Sequence, residues 1–136
     1  MSKTIFTKII EGEIPCYKIY ETPYVFAFLD IHPLQPGHTL IVPKVTVDAI
    51  DQLEEPFYSE VFSVAKLIAQ ASKAAFGTTR ATYHILGFEV PHAHLHVIPA
   101  NTMDEVKFLS QPLATSEALE SAQKLLLEQI ALIESR

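Results

Sequence analysis

The sequence predicts an α+β fold, an antiparallel sheet of about five strands with flanking helices, and three observations carry that expectation. Five short runs rich in β-branched and aromatic residues are set off by turn residues. Three other stretches repeat apolar residues at helical spacing. Two of the β-type runs are separated only by Thr22-Pro23, a tight antiparallel connection. With 136 residues, 49% of them hydrophobic and 19% charged, the chain is expected to form one domain, 1–136, with a single core.

In chain order, Thr4-Ile5-Phe6-Thr7-Lys8-Ile9-Ile10 places Ile5, Phe6, Ile9 and Ile10 at helical spacing behind a capping threonine, and Gly12 follows the last turn. Residues 16–21 and 24–30 read as the hairpin strands. Ile31-His32-Pro33-Leu34-Gln35-Pro36-Gly37 is a rigid loop, and 38–43 resumes as a strand with His38 at its entrance. Residues 56–76 form a long helix whose apolar stripe includes Val61, Val64, Ala65 and Ile68, with Gly77 at its C-terminal cap. A strand is expected over 82–86, then Gly87-Phe88-Glu89-Val90-Pro91, then a strand over 92–98. Residues 100–112 read as loop. Ser116 is the expected cap of a last helix over about 116–135, in which Leu119, Ala122, Leu126, Ile130 and Ile133 recur.

Charge and composition limit the partners. Ten basic against sixteen acidic residues, a net charge of -6, disfavour a general grip on nucleic acid or anionic membranes. No run approaches the roughly 18 apolar residues of a membrane span, and the N-terminus lacks the apolar core of a signal peptide. A cytoplasmic location is the expectation. Cys16 is the single cysteine, so neither an intrachain disulfide nor an all-cysteine zinc site can form.

Three of the six histidines fall in His92-Ala93-His94-Leu95-His96-Val97-Ile98. As a strand, this stretch puts all three imidazoles on one face, with Ala93, Leu95 and Val97 on the other. Such a cluster suits two chemistries. It could bind a transition metal that activates water. Alternatively, one imidazole attacks phosphorus while its neighbours hold phosphoryl oxygens and assist the leaving group. Spacing alone leaves both open.

Three separated blocks bear on the choice: residues 5–15, Ile5-Phe6-Thr7-Lys8-Ile9-Ile10-Glu11-Gly12-Glu13-Ile14-Pro15; residues 28–44, from Phe28-Leu29-Asp30 through Gly37-His38 to Val42-Pro43-Lys44; and the histidine stretch with Pro99. Over about residues 4–100 the chain resembles the histidine triad (HIT) family of nucleotide hydrolases and transferases, closest to its Hint-like phosphoramidase branch. The resemblance implies a HIT-like fold, a homodimer and a purine nucleotide substrate, with no cofactor. It implies hydrolysis of a purine nucleoside phosphoramidate through a covalent nucleotidyl-histidine intermediate. A dinucleoside polyphosphate hydrolase, or a nucleotide-binding regulator with weak turnover, is the alternative.

Residue by residue, the resemblance makes His94 the nucleophile, His92 and His96 the flanking histidines that hold phosphate and assist the leaving group, and His38 a supporting fourth histidine. Asp30 becomes the carboxylate for the ribose hydroxyls, and Ile5, Phe6, Ile9, Phe28 and Ile31 become walls around the base. Many bacterial members hold a structural zinc with two cysteines, a histidine and the first triad histidine. Thr4, Thr7 and Thr46 stand at the first three of those positions, so no metal is expected. Ahead of the triad, Ala81, Phe88 and Glu89 replace the family's usual polar residues, with Gly87 retained near the phosphate. Glu89 carries a charge that repels phosphate and would favour substrates that release an amine.

Overall fold

A computed structural model describes residues 3–136. Five strands, β1 (Lys18–Glu21), β2 (Val25–Leu29), β3 (Thr39–Pro43), β4 (Arg80–His84) and β5 (Leu95–Ala100), form one antiparallel sheet in the order β1-β2-β3-β5-β4. Three α-helices accompany it: α1 (Ile5–Ile10), α2 (Phe57–Phe76) and α3 (Ser116–Glu134). Short 3-10 turns cover Ile50–Gln52 and Met103–Val106, the second inside the segment expected to be plain loop. None of these helices is long and apolar enough to cross a membrane.

Strand alternation decides what each face of the sheet meets. In β2, Val25, Ala27 and Leu29 join the main core beneath α2 and α3, while Phe26 and Phe28 join a second cluster on the opposite face with Phe6, Ile9, Leu40 and Val42. All five residues of β2 and of β3 are buried, which is why both segments read as continuous apolar runs. Leu95 and Val97 of β5 face the main core. His96, paired with Leu40 of β3, faces the α1 side. The catalytic expectations therefore fall on the face covered by α1 and the loops.

The helices end where local chemistry dictates. Thr4 caps α1 by accepting the Thr7 N–H at 3.1 Å, and Thr7 Oγ1 accepts the Thr4 N–H in return at 3.2 Å. Gly77 closes α2 in the left-handed conformation, φ +64°. The cap of α3 is Thr115, whose hydroxyl accepts the Ala118 N–H at 3.1 Å, and not Ser116, which is the first helical residue. This helix is fastened to β1 by Gln123 Nε2 donating to the Lys18 carbonyl (2.9 Å) and Tyr20 OH donating to Glu134 (2.6 Å).

Two strand expectations need correction. The fourth strand is Arg80–His84, not 82–86; Ile85 and Leu86 are exposed beyond its end. The fifth begins at Leu95, so His92, Ala93 and His94 precede the ladder. Their polar groups bond elsewhere: the His92 N–H to the Val90 carbonyl (2.8 Å), the Ala93 N–H to the Val47 carbonyl (2.7 Å), and the His94 ring to the carbonyl of His92. Three imidazoles on one strand face is therefore not the arrangement; His96 alone of the three lies in the strand.

Candidate active site

The loop 30–38 is the first wall of the site. Asp30 Oδ1 accepts the His32 N–H at 2.8 Å, and the Asp30 N–H bonds to the His38 carbonyl at 2.9 Å, closing the loop's neck. Gly37, at φ +88°, takes a backbone conformation that side chains disfavour, and a Cβ there would strike the Phe76 ring. This neck delivers His38 to the start of β3, 2% exposed.

Buried hydrogen bonds then fix the tautomers. The Leu34 N–H donates to His38 Nδ1 at 3.1 Å, so His38 carries its proton on Nε2. That Nε2 lies 2.9 Å from His96 Nδ1 and donates to it, which places the proton of His96 on Nε2. His94 runs the other way. Its Nδ1 donates to the His92 carbonyl at 2.8 Å, leaving the lone pair on Nε2. Among the described residues neither His94 Nε2 nor His96 Nε2 has a protein partner, yet Ser72 Oγ is the one buried side-chain polar atom there without one. Both nitrogens therefore reach open space: one is an acceptor and potential nucleophile, the other a donor.

That space is a cleft of about 380 Å³, within the range for small-molecule sites. Of the residues expected at the site, His94, His96, His38, Asp30, Phe6, Gly87 and Glu89 line it. Ile9 and Phe28 lie behind Phe6 in the second core cluster, and Ile5 and Ile31 are half exposed outside the cleft. Phe6 stands edge-on to His94, with ring centroids 4.9 Å apart. Ala81 pairs with Pro99 inside the sheet, away from the cleft, and Phe88 is 94% exposed at its rim.

His92 sits elsewhere. Its Nε2 donates to the Pro43 carbonyl at 2.9 Å, and its Nδ1 is 2.8 Å from Thr4 Oγ1. Both nitrogens are engaged, so in this arrangement His92 cannot hold phosphate or a leaving group.

Several cleft residues escaped the sequence reading. Phe108 packs edge-on against His96 (centroids 5.0 Å), His84 (5.1 Å) and His38 (6.2 Å), and Leu109 and Ser110 continue the wall. An apolar Phe108-Leu109 pair within a polar loop was the available signal. His32 and Leu34 also line the cleft, from the rigid loop.

Burial governs protonation. It pushes His38 down to about 3, assisted by the charge of His84, and His96 down to about 3, assisted by His38 and His94. Burial also lowers His94 from the usual histidine value, against the raising effects of the His92 carbonyl, Asp30 and Glu89. Each ring is neutral at pH 7. Among the described residues no lysine or arginine lines the cleft, so imidazoles, the Ser110 hydroxyl and backbone groups are what can meet a phosphate.

Two places could be asked to hold a metal. Asp30, His38 and His96 bring donor atoms within 4.8 Å of one another, with Asp30 Oδ2 3.6 Å from His38 Nε2. The Leu34 N–H, however, keeps the proton of His38 on the nitrogen that would ligate, so the donor set does not fit. At the second place Thr4, Thr7, Thr46 and His92 do converge: Thr4 Oγ1 to Thr7 Oγ1 is 3.1 Å and Thr7 Oγ1 to Thr46 Oγ1 is 3.3 Å. Three neutral hydroxyls, bonded to one another, are not zinc donors, which are thiolate, imidazole and carboxylate.

The chain matches the HIT domain model over residues 11–103. It is 40% identical over 96 residues to adenosine 5'-monophosphoramidase HNT1 of Saccharomyces cerevisiae, covering 70% of this chain and 61% of that protein. A Hit-like protein of Bartonella henselae described as involved in cell-cycle regulation superposes with a TM-score of 0.84 at 30% identity, covering 93% of this chain and 96% of that one. A zinc-bound histidine triad family protein of Mycobacterium smegmatis gives 0.82 at 27% identity, covering 96% and 95%. With the family model spanning more than half of its length, the chain belongs to the HIT domain family.

Proposed function

We propose that the protein hydrolyses purine nucleoside phosphoramidates, releasing AMP and an amine, through a nucleotidyl intermediate on His94. The observation that carries the reading is the locked tautomer of His94, whose Nε2 lone pair faces the cleft while Nδ1 is held by the His92 carbonyl. The similarity to a yeast adenosine 5'-monophosphoramidase supports the substrate class.

In the first step His94 Nε2 attacks the α-phosphorus. The P–N bond breaks, and the amine leaves with its electron pair and takes a proton from solvent at the cleft mouth. The Nε2–H of His96 donates to a phosphoryl oxygen, and His38 holds His96 in the donor tautomer. Asp30 accepts hydrogen bonds from the ribose hydroxyls, and the negative charges of Asp30 and Glu89 favour the cationic nucleotidyl-imidazolium. Water then attacks phosphorus, the P–N bond to His94 breaks, its electron pair returns to the ring, and AMP departs. Proton loss from the water goes to solvent.

Glu89 favours an amine over a nucleotide leaving group. A cationic amine meets attraction at the rim, whereas the phosphates released from a dinucleoside polyphosphate meet repulsion. We further propose a homodimer: β4 is an open sheet edge carrying Tyr83, 42% exposed, and α2 presents Tyr58, also 42% exposed. Sedimentation at micromolar concentration tests this, and a monomer would refute it.

The activity test compares wild type with His94→Asn on an adenosine phosphoramidate and on a dinucleoside polyphosphate, following AMP release with and without chelator. The reading expects chelator-insensitive turnover of the phosphoramidate, lost by roughly a thousandfold or more in the variant. Full activity in His94→Asn, or preference for the polyphosphate, would overturn it.

A further inference from the structure

His92 is the triad member that does not reach the cleft, and its surroundings assign it another task. The Pro43 carbonyl can only accept, so the 2.9 Å contact requires a proton on His92 Nε2. Burial favours the neutral ring, so Nδ1 is an acceptor, and the hydroxyl of Thr4, 2.8 Å away, must donate to it. With its one hydrogen spent, Thr4 Oγ1 accepts from Thr7 Oγ1, and Thr7 Oγ1 accepts from Thr46 Oγ1. The directions are fully determined: Thr46 to Thr7 to Thr4 to His92 to the Pro43 carbonyl. This chain joins the cap of α1, the loop after β3 and the approach to β5, and it ends on the residue whose carbonyl orients His94.

We propose that Thr4 is a positioning residue for the reaction. By donating to His92 it holds that ring in one tautomer and its peptide in one place, so that the His92 carbonyl keeps the His94 lone pair aimed at phosphorus. The hydroxyl chain thereby fastens α1 and the loop after β3 to the triad by hydrogen bonds instead of by a metal ion. The proposal rests on the reading of His94 as nucleophile for its kinetic part, but the state of His92 can be read without any substrate.

Three variants test it. Thr4→Val removes both donor and helix cap, Thr4→Asp keeps an acceptor for the cap but cannot donate, and Thr4→Ser restores the hydroxyl. The measurements are kcat and KM on an adenosine phosphoramidate, and the imidazole nitrogen signals of 15N-histidine-labelled protein at pH 7. The expected result is a single Nε2–H tautomer of His92 in wild type and Thr4→Ser. Thr4→Val should give a mixture, and Thr4→Asp a ring protonated on both nitrogens. In Thr4→Val and Thr4→Asp kcat should fall roughly tenfold with KM within about twofold, as for a misaimed nucleophile. If Thr4→Val does not fold, Thr4→Asp carries the test, since its helix cap is retained. Wild-type kcat in Thr4→Asp, an unchanged His92 tautomer in the variants, a loss confined to KM, or a Thr4→Ser as impaired as Thr4→Val would each overturn the proposal. A His92 response to Thr4 together with full activity in His94→Asn would instead refute the nucleophile and leave the hydroxyl chain standing.

Discussion

Acid should unfold this protein through its buried histidines, at a pH where its carboxylates are still ionised. His38 and His96 are held neutral by burial, each pushed down to about 3 in the folded state, against about 6.5 for an unfolded histidine. The unfolded chain therefore binds more protons below that value. The contribution to stability is complete above about pH 6.5 and is lost as the pH falls towards 3. From pH 7 to pH 5 the unfolded chain gains about 2 kcal/mol from each histidine, so the two together remove about 4 kcal/mol. That is a large share of the 5–15 kcal/mol of a typical domain. Urea titrations at pH 7, 6 and 5, analysed at constant m, measure it directly. His38→Gln should remove about 2 kcal/mol of the loss between pH 7 and 5. A loss below about 1 kcal/mol between pH 7 and 5 would mean that both rings take up protons freely in the folded protein. The tautomer chain from Leu34 to His96 would then be wrong.

Other expectations follow from single contacts. Gly37→Ala forces a side chain onto a left-handed backbone and into the Phe76 ring, and should cost about 2 kcal/mol in denaturant titration, with nucleotide binding weakened because this neck carries His38. Leu126→Ala opens the fully buried junction of α3 with the main core and should cost about 3 kcal/mol without altering KM. Glu89→Gln should leave the fold unchanged and reduce the preference for amine over alkoxide leaving groups a few-fold, the scale of an exposed charge; unchanged selectivity would remove Glu89 from substrate choice.

What the sequence discloses and what it conceals both have physical causes. Helix α2 is legible from its stripe and from Gly77, because a 20-residue amphipathic element and a left-handed cap are local properties. Strands β2 and β3 are legible for the same reason, each being an apolar run bounded by turn residues. The histidine alternation, by contrast, suggests a strand from residue 92, but the ladder with β3 stops at Leu95. There the Pro43 carbonyl is taken by a side chain and the Val47 carbonyl by the Ala93 amide. The partner strand's end decides this, and no local pattern records it. The contact of Thr4 with His92 spans 88 positions, so the threonines read only as a helix cap and as vacant metal positions. Phe108 lies in a segment without periodicity, and its place against three histidines comes from the path of the loop towards α3.

The central claim, that His94 becomes covalently nucleotidylated, is tested most directly by one acid-stopped single turnover. Protein in excess over an adenosine phosphoramidate is quenched within the first turnover, digested and mapped by mass spectrometry. The account predicts an adenylyl group on His94, formed and lost at rates compatible with turnover and absent from His94→Asn. An adduct on another residue, or AMP release at the full rate with no adduct at any time point, would contradict it.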